Sequence, residues 1–320
     1  MVATIDISPL RAGDPGNVVA TAIDRACRDN GFFAITGHGI PLALSDELER
    51  ASREFFALPL AEKMEIEMAR AGRRWRGFFP VGGELTSGQP DQKEGIYFGR
   101  ELPAIDPRVV AGVPLHGPNL WPNESLRSVV LAWIDATAEV AALVMTAIAR
   151  ALGLAPDYFA RTCMQDPTLL FRIFHYPPTS GDAWGVGEHT DYGILTLLLQ
   201  DDVGGLEVKS RGEWIAIPPE RGAIVCNIGD MLDRMTGGVY RSTPHRVRNA
   251  TGRERYSFPL FFDPSWDARV ARVPGAPEPD DDATARWDSA SVHAFDGTWG
   301  DYLMGKIARV FPALFAATTS

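Results

Sequence analysis

Between Leu169 and Pro264 the chain breaks into seven short β-rich runs: LLFRIFHY, ILTLLLQ, LEVKS, EWIAI, AIVCNI, HRVRN and RYSFPLFF. Each is rich in branched or aromatic residues and is closed by a turn signal. Strands this short and this closely spaced point to a β-sandwich or barrel. The 24 prolines and 31 glycines supply the turns such a fold needs.

Ahead of that region lies the clearest helix, over residues 125–152. Leu126, Val129, Val130, Trp133, Ile134, Val140, Val144, Met145, Ile148 and Leu152 follow a 3.6-residue period. Asn123 is placed to cap its start and Gly153 to stop it. Thr137 is the one polar residue on the stripe. So wide an apolar face predicts a girder beneath a sheet.

Residues 1–120 read as a mixed α/β lead-in integral to the core, and 121–320 as the β core with its bracing helices. In the lead-in, ATIDIS is a short strand, a helix follows from about Pro15 to Asn30, and GFFAIT is a second strand ending at GHGI. A further helix runs from about Ser45 to Phe56. The segment RRWRGFFPVGGELTSGQPDQKE is expected to be loop, VPGAPEPDDDAT a solvated acidic loop, and Trp299–Leu314 a last amphipathic helix. The fold class is therefore α+β, mainly β.

A net charge of −10 argues against a nucleic-acid binder, which needs a basic surface. It leaves room for a small anionic ligand beside a local arginine. Cys27, Cys163 and Cys226 have neither metal nor disulfide spacing, and no secretory leader is visible in MVATIDISPL, so a reducing cytoplasm is expected. The longest apolar helix is interrupted by Asp135 and Glu139, so no membrane span is expected. Nothing specifies an oligomer, and a monomer is compatible with the sequence.

The chemistry concentrates in three places. His189 and Asp191, two apart in GVGEHTDYG, would share one face of a strand. His245 in STPHRV lies 54 positions after Asp191, far enough for intervening strands to bring it back. Two histidines and one carboxylate occupy one face of an octahedral iron and leave the opposite corners open. A structural zinc site would prefer four closed ligands, often cysteine. A serine hydrolase would need a G-x-S-x-G elbow, which the chain lacks, and GVGEHT lacks the third glycine of a dinucleotide loop. Arg255 and Ser257 share a strand face and suit an anionic group. Arg172 and Tyr176 share another face, and an arginine in so apolar a strand needs an anionic partner. His38, His116, His175 and His293 read as structural.

The runs HTDYGILTLL, GGLEV, NIGDMLDRMTGG, YRSTPHRV and RYSFPLFFDP, with GFFAITGHGIP near the start, resemble the iron(II)- and 2-oxoglutarate-dependent oxygenases related to isopenicillin N synthase. The resemblance covers most of the chain. It implies a double-stranded β-helix (jelly-roll) core braced by helices, with iron on His189, Asp191 and His245. It also implies the distal carboxylate of 2-oxoglutarate on Arg255 and Ser257, Tyr176 against that co-substrate, Arg172 near it, and O2 at the open position. One departure is Phe174-His175-Tyr176-Pro177 where plant members often carry Asn-Tyr-Tyr-Pro.

Within the family, GGELTSGQPD, HGPNLWPN, QDDVGG and the ARVFP tail are most similar to the bacterial ethylene-forming branch. That branch's arginine-binding positions map to Glu84, Thr86, Tyr192 and Arg309, which implies an amino-acid-like substrate. Arg309 lies seven residues after Tyr302 and would point inward. The chain lacks that branch's long insertion between GGLEV and AIVCN. The expected activity is oxidation, foremost hydroxylation, of a small amino-acid-like or natural-product substrate. An oxidase without 2-oxoglutarate, ethylene formation and a non-catalytic ligand-binding protein stay open as alternatives.

Overall fold

The computed structural model describes residues 2–86, 88–178, 184–286 and 289–319. Ser87, within GGELTSGQPD, lies outside the described residues. In chain order the strands are β1 (Ala3–Asp6), β2 (Phe32–Thr36), β3 (Gly77–Phe79), β4 (Leu85–Thr86), β5 (Gln89–Pro90), β6 (Glu94–Gly99) and β7 (Pro167–Tyr176). There follow β8 (Val186–His189), β9 (Leu195–Gln200), β10 (Leu206–Ser210), β11 (Glu213–Ile217), β12 (Ile224–Ile228), β13 (His245–Val247) and β14 (Arg255–Ser265).

Eight of them form one sheet in the order β1-β2-β12-β9-β14-β7-β6-β3, and four form a second in the order β11-β10-β13-β8. Strands β4 and β5 make a small hairpin of their own. Four strands of the large sheet come from the first hundred residues, so the lead-in and the later strands share one sheet. All seven runs anticipated after Leu169 are strands.

The girder helix spans Glu124–Ala151, and the Asn123 side chain accepts from the Leu126 backbone N–H at 2.8 Å. Its apolar stripe packs on helices Val18–Asp29 and Leu42–Phe56 and on strands β7, β9 and β14. Val130, Ala141, Val144 and Ile148 on that stripe are fully buried. Thr137 is tolerated there because its hydroxyl donates to the Trp133 carbonyl one turn back, at 2.6 Å. Gly153 takes φ +71°, the left-handed conformation that ends the helix. By length and composition the helix is apolar enough to cross a membrane, despite Asp135 and Glu139, and half of its most apolar window is buried in the protein. Asn123→Ala is expected to cost about 1 kcal/mol in a denaturant titration, because the N–H it caps loses its partner.

Three expectations need correction. The segment 73–94 is not a loop: it holds β3 and the β4–β5 hairpin, and Trp75, Arg76 and Lys93 within it are buried. Its glycines and prolines mark turns between very short strands rather than continuous loop. The acidic stretch is not wholly solvated, since Asp282 is buried and accepts from Arg286 at 2.6 Å and Ser291 at 2.8 Å. The last helix ends at Val310, and a separate helix begins at Pro312. Proline removes a backbone donor and breaks the run there.

Candidate metal centre and co-substrate pocket

The register of the smaller sheet brings the two histidines together. His189, last residue of β8, stands directly opposite His245, first residue of β13. Their ring centroids are 4.2 Å apart. Asp191 lies two residues beyond the end of β8, in the crossing to β9, rather than on the strand itself as the spacing had predicted. The crossing carries its carboxylate toward the larger sheet. There Thr196 of β9 and Asn227 of β12 are directly paired across the ladder. Both donate to one oxygen, Oδ2 of Asp191, at 2.5 Å and 2.7 Å.

That leaves Oδ1 free, 3.7 Å from His245 Nε2. The donor atoms of His189, Asp191 and His245 all lie within 4.8 Å of one another, as a metal site requires. Each imidazole has its Nδ1 beside a backbone carbonyl, Gly187 for His189 at 2.8 Å and Thr243 for His245 at 3.2 Å. An N–H at Nδ1 donating to the carbonyl leaves the Nε2 lone pair for a metal.

Desolvation among packed neighbours, and then the charge of His245, push His189 down to about 3. It is therefore a neutral imidazole at neutral pH, the form a metal requires. Burial pushes the Asp191 carboxyl up, but His245, His189, Thr196 and Asn227 outweigh it and hold it below the usual range. The donor set thus fits a divalent cation in charge, protonation and arrangement. Gly193 keeps the crossing tight, because a Cβ there would collide with the Asp263 carboxylate. Asp263 is buried, accepts from the Ile194 N–H at 3.2 Å, and is pushed up to about 8 by burial.

The second cluster lines the same pocket from β14. Arg255 is fully buried opposite Tyr176 of β7, with its guanidinium 4.7 Å from the Tyr176 ring centre. Its Nε donates to the Gly204 carbonyl and its Nη2 to Gln200 Oε1 at 3.4 Å. Its Nη1 is buried with no hydrogen-bond partner among the described residues. Leaving a charged donor unpaired costs several kcal/mol, so the pocket is built for an anion at that point. Ser257 adds a hydroxyl 3.5 Å from the Tyr176 hydroxyl. The pocket therefore sets a face that could hold a metal beside an end suited to an anion, as a chelating keto-diacid needs.

Glu84, Thr86, Tyr192 and Arg172 line the pocket as well. Arg172 lies between the Tyr97 ring at 4.1 Å and the Phe261 ring at 4.7 Å, with Nη1 3.6 Å from Glu84. Arg309 does not join them. It is exposed, and Leu303, Ile307, Val310 and Phe311 are what the C-terminal helices turn toward the cavity. The seven-residue spacing does keep Arg309 on nearly the same helical side as Tyr302, but Tyr302 donates to Asp230 at 2.8 Å and does not line the cavity.

Sequence reasoning missed Thr196, Asn227 and Lys93. The first two had a signal, a polar side chain inside each of two otherwise apolar runs, ILTLLL and AIVCNI. Asn227→Ala is expected to weaken iron(II) affinity about 10–100-fold, since it releases the oxygen that orients Asp191; equilibrium dialysis against iron(II) measures this. The remaining histidines lie outside the pocket lining: His38 Nε2 is 3.0 Å from the Gly222 carbonyl, His116 Nδ1 2.8 Å from the Pro114 carbonyl, His175 Nδ1 2.8 Å from Glu94, and His293 Nε2 3.5 Å from Asp233.

Residues 2–124 match the family described as non-haem dioxygenase in morphine synthesis, N-terminal, and residues 167–264 match the 2OG-Fe(II) oxygenase superfamily. A probable iron/ascorbate oxidoreductase of Dictyostelium discoideum is 48% identical, over 93% of this chain and 90% of its own length. A homoarginine-6-hydroxylase of Glycine max is 36% identical, over 97% of each chain. Among solved structures, a full-length Neurospora crassa protein in complex with α-ketoglutarate superposes with a TM-score of 0.79 at 28% identity, covering 96% of each chain. With its jelly-roll fold, its His–Asp–His group and these relatives, the chain belongs to the iron(II)- and 2-oxoglutarate-dependent oxygenases.

Proposed function

We propose that this enzyme hydroxylates an unactivated C–H bond of a small molecule, amino-acid-like or a natural product, with a largely apolar skeleton and one polar end. Supporting this is the sharing of one pocket by the three ligating side chains and the orphaned Arg255 donor. His189 and His245 would hold iron through Nε2 and Asp191 through Oδ1. Arg255 and Ser257 would grip the distal carboxylate of 2-oxoglutarate, with Tyr176 beneath it and Arg172 nearby. With iron(II), 2-oxoglutarate and O2 bound, the centre supplies the oxidant, one oxygen atom going to substrate and one to succinate as CO2 leaves.

The chain's own residues do the rest. Trp75, Phe98, Leu115, Leu303, Ile307 and Phe311 form an apolar wall that excludes water and seats the carbon skeleton. Glu84, Thr86 and Tyr192 offer polar groups at one end. We take the enzyme to be cytoplasmic and to work on free small molecules rather than on nucleic acid or at a membrane.

The test is a screen of amino acids and small natural products with iron(II) and 2-oxoglutarate, reading succinate, O2 and product together. Substrate-stimulated succinate matching O2 uptake, with a product about 16 mass units heavier, is the expected result. Oxidation without succinate would replace this reading with an oxidase, and ethylene in the headspace with ethylene formation.

A further inference from the structure

At the polar end of the pocket Glu84 lines the wall, and a second buried carboxylate, Asp91, is held close behind it by the β4–β5 hairpin, whose ends are tied by Asp91 N–H to the Glu84 carbonyl at 3.0 Å. Such a pair makes a socket for a cation, and Glu84 falls on a position the family resemblance assigns to a guanidinium-bearing substrate. In this chain the socket is already filled. Lys93 is 2% exposed, with Nζ 2.8 Å from Glu84 Oε2 and paired also with Asp91 Oδ2. Further donors reach the same two carboxylates: Thr86 donates to Asp91 Oδ2 at 2.7 Å, and Tyr97 donates to Glu84 Oε1. Arg172 adds a second cation 3.6 Å from Glu84. Two acids thus face two bases, and the wall is neutral before any substrate enters. Burial alone would pull the Lys93 ammonium down, but Glu84 and Asp91 hold it above its ordinary range, so it stays charged.

We propose that Lys93 is a specificity-determining residue which occupies the cation socket from within, so that the substrate end meeting Glu84 carries no positive charge. A guanidinium or ammonium brought there would add an uncompensated buried charge beside Lys93 and Arg172. Of the four residues matched to an arginine-binding role, Glu84, Thr86 and Tyr192 line the cavity and the exposed Arg309 does not. The inference rests on the substrate pocket proposed above, and it separates this enzyme from relatives named for homoarginine.

The experiment measures binding of L-homoarginine and of L-homocitrulline, whose neutral urea replaces the guanidinium, to the anaerobic iron–2-oxoglutarate enzyme by calorimetry. The wild type is expected to bind homoarginine no more tightly than homocitrulline. Lys93→Met, which empties the socket and leaves its acids, is expected to shift the affinity ratio toward homoarginine by about tenfold or more. Lys93→Arg should keep the wild-type ratio. A smaller shift in a folded Lys93→Met, including binding of neither probe, overturns the proposal. So does tighter binding of homoarginine by the wild type, a result that needs no variant. Lys93→Gln, which keeps hydrogen bonds to both acids, replaces the methionine variant should that one fail to fold. Succinate release without primary substrate, read on the same preparations, tests the oxygenase assignment independently of either ratio.

Discussion

Asp191→Ala is expected to abolish iron(II) binding and, with it, all 2-oxoglutarate turnover. Among the described residues grouped to hold a metal, Asp191 is the one carboxylate and the one side chain of the three that is negatively charged. Its position is fixed from the opposite sheet, where the paired side chains of Thr196 and Asn227 hold Oδ2 and leave Oδ1 for the metal. Alanine removes the ligand and also strands two buried donors, at about 1–3 kcal/mol each. The variant should therefore lose some thermal stability as well as its metal. Asp191→Asn isolates the charge, because it keeps the shape and can still accept from Thr196, yet it too should fail to hold iron. Metal analysis after gel filtration, with unfolding curves on the same samples, distinguishes the two effects. An Asp191→Ala protein that retains one iron and releases succinate would remove this residue from the centre.

The convergence of His189, Asp191 and His245 was readable in advance because it depends on chemistry and chain order. Turn signals divided the seven strands anticipated after Leu169 correctly, though they hid those between Gly77 and Pro90, and the 3.6-residue period found the girder helix to within a residue at each end. What the sequence hid was register. Nothing in it says that His189 faces His245 across one ladder while Asp191 reaches over to another sheet, because strand pairing is decided by contacts far apart in sequence. The same blindness explains Arg309. A helical period places it near an apolar stripe, and only the break before Pro312 and the packing of Ile307 and Phe311 decide which side faces the cavity. Lys93 was invisible for another reason: a lysine two residues after an aspartate usually signals solvent, and only the fold of the hairpin buries it between two acids.

Arg255→Ala is expected to raise the 2-oxoglutarate concentration needed for half-maximal turnover about 100-fold while leaving iron(II) affinity unchanged, a loss of about 2.7 kcal/mol. The arginine is fully buried, so the carboxylate it grips would be fully desolvated, and removing its partner leaves that charge uncompensated. Its remaining bonds, to Gly204 and Gln200, orient the guanidinium and keep Nη1 directed into the pocket. Stacking over Tyr176 fixes the plane of the fork. Lysine keeps the charge but neither the fork nor the stacking, so Arg255→Lys should fall between the wild type and the alanine variant. Iron is untouched because the ligand set lies on β8, β13 and the crossing after β8, none of which Arg255 bonds to. Measuring 2-oxoglutarate dependence at saturating iron, and iron affinity without 2-oxoglutarate, separates the two sites. Equal losses in both would mean that Arg255 acts by supporting the fold, and an unchanged co-substrate requirement would take it out of the pocket's anion-binding end.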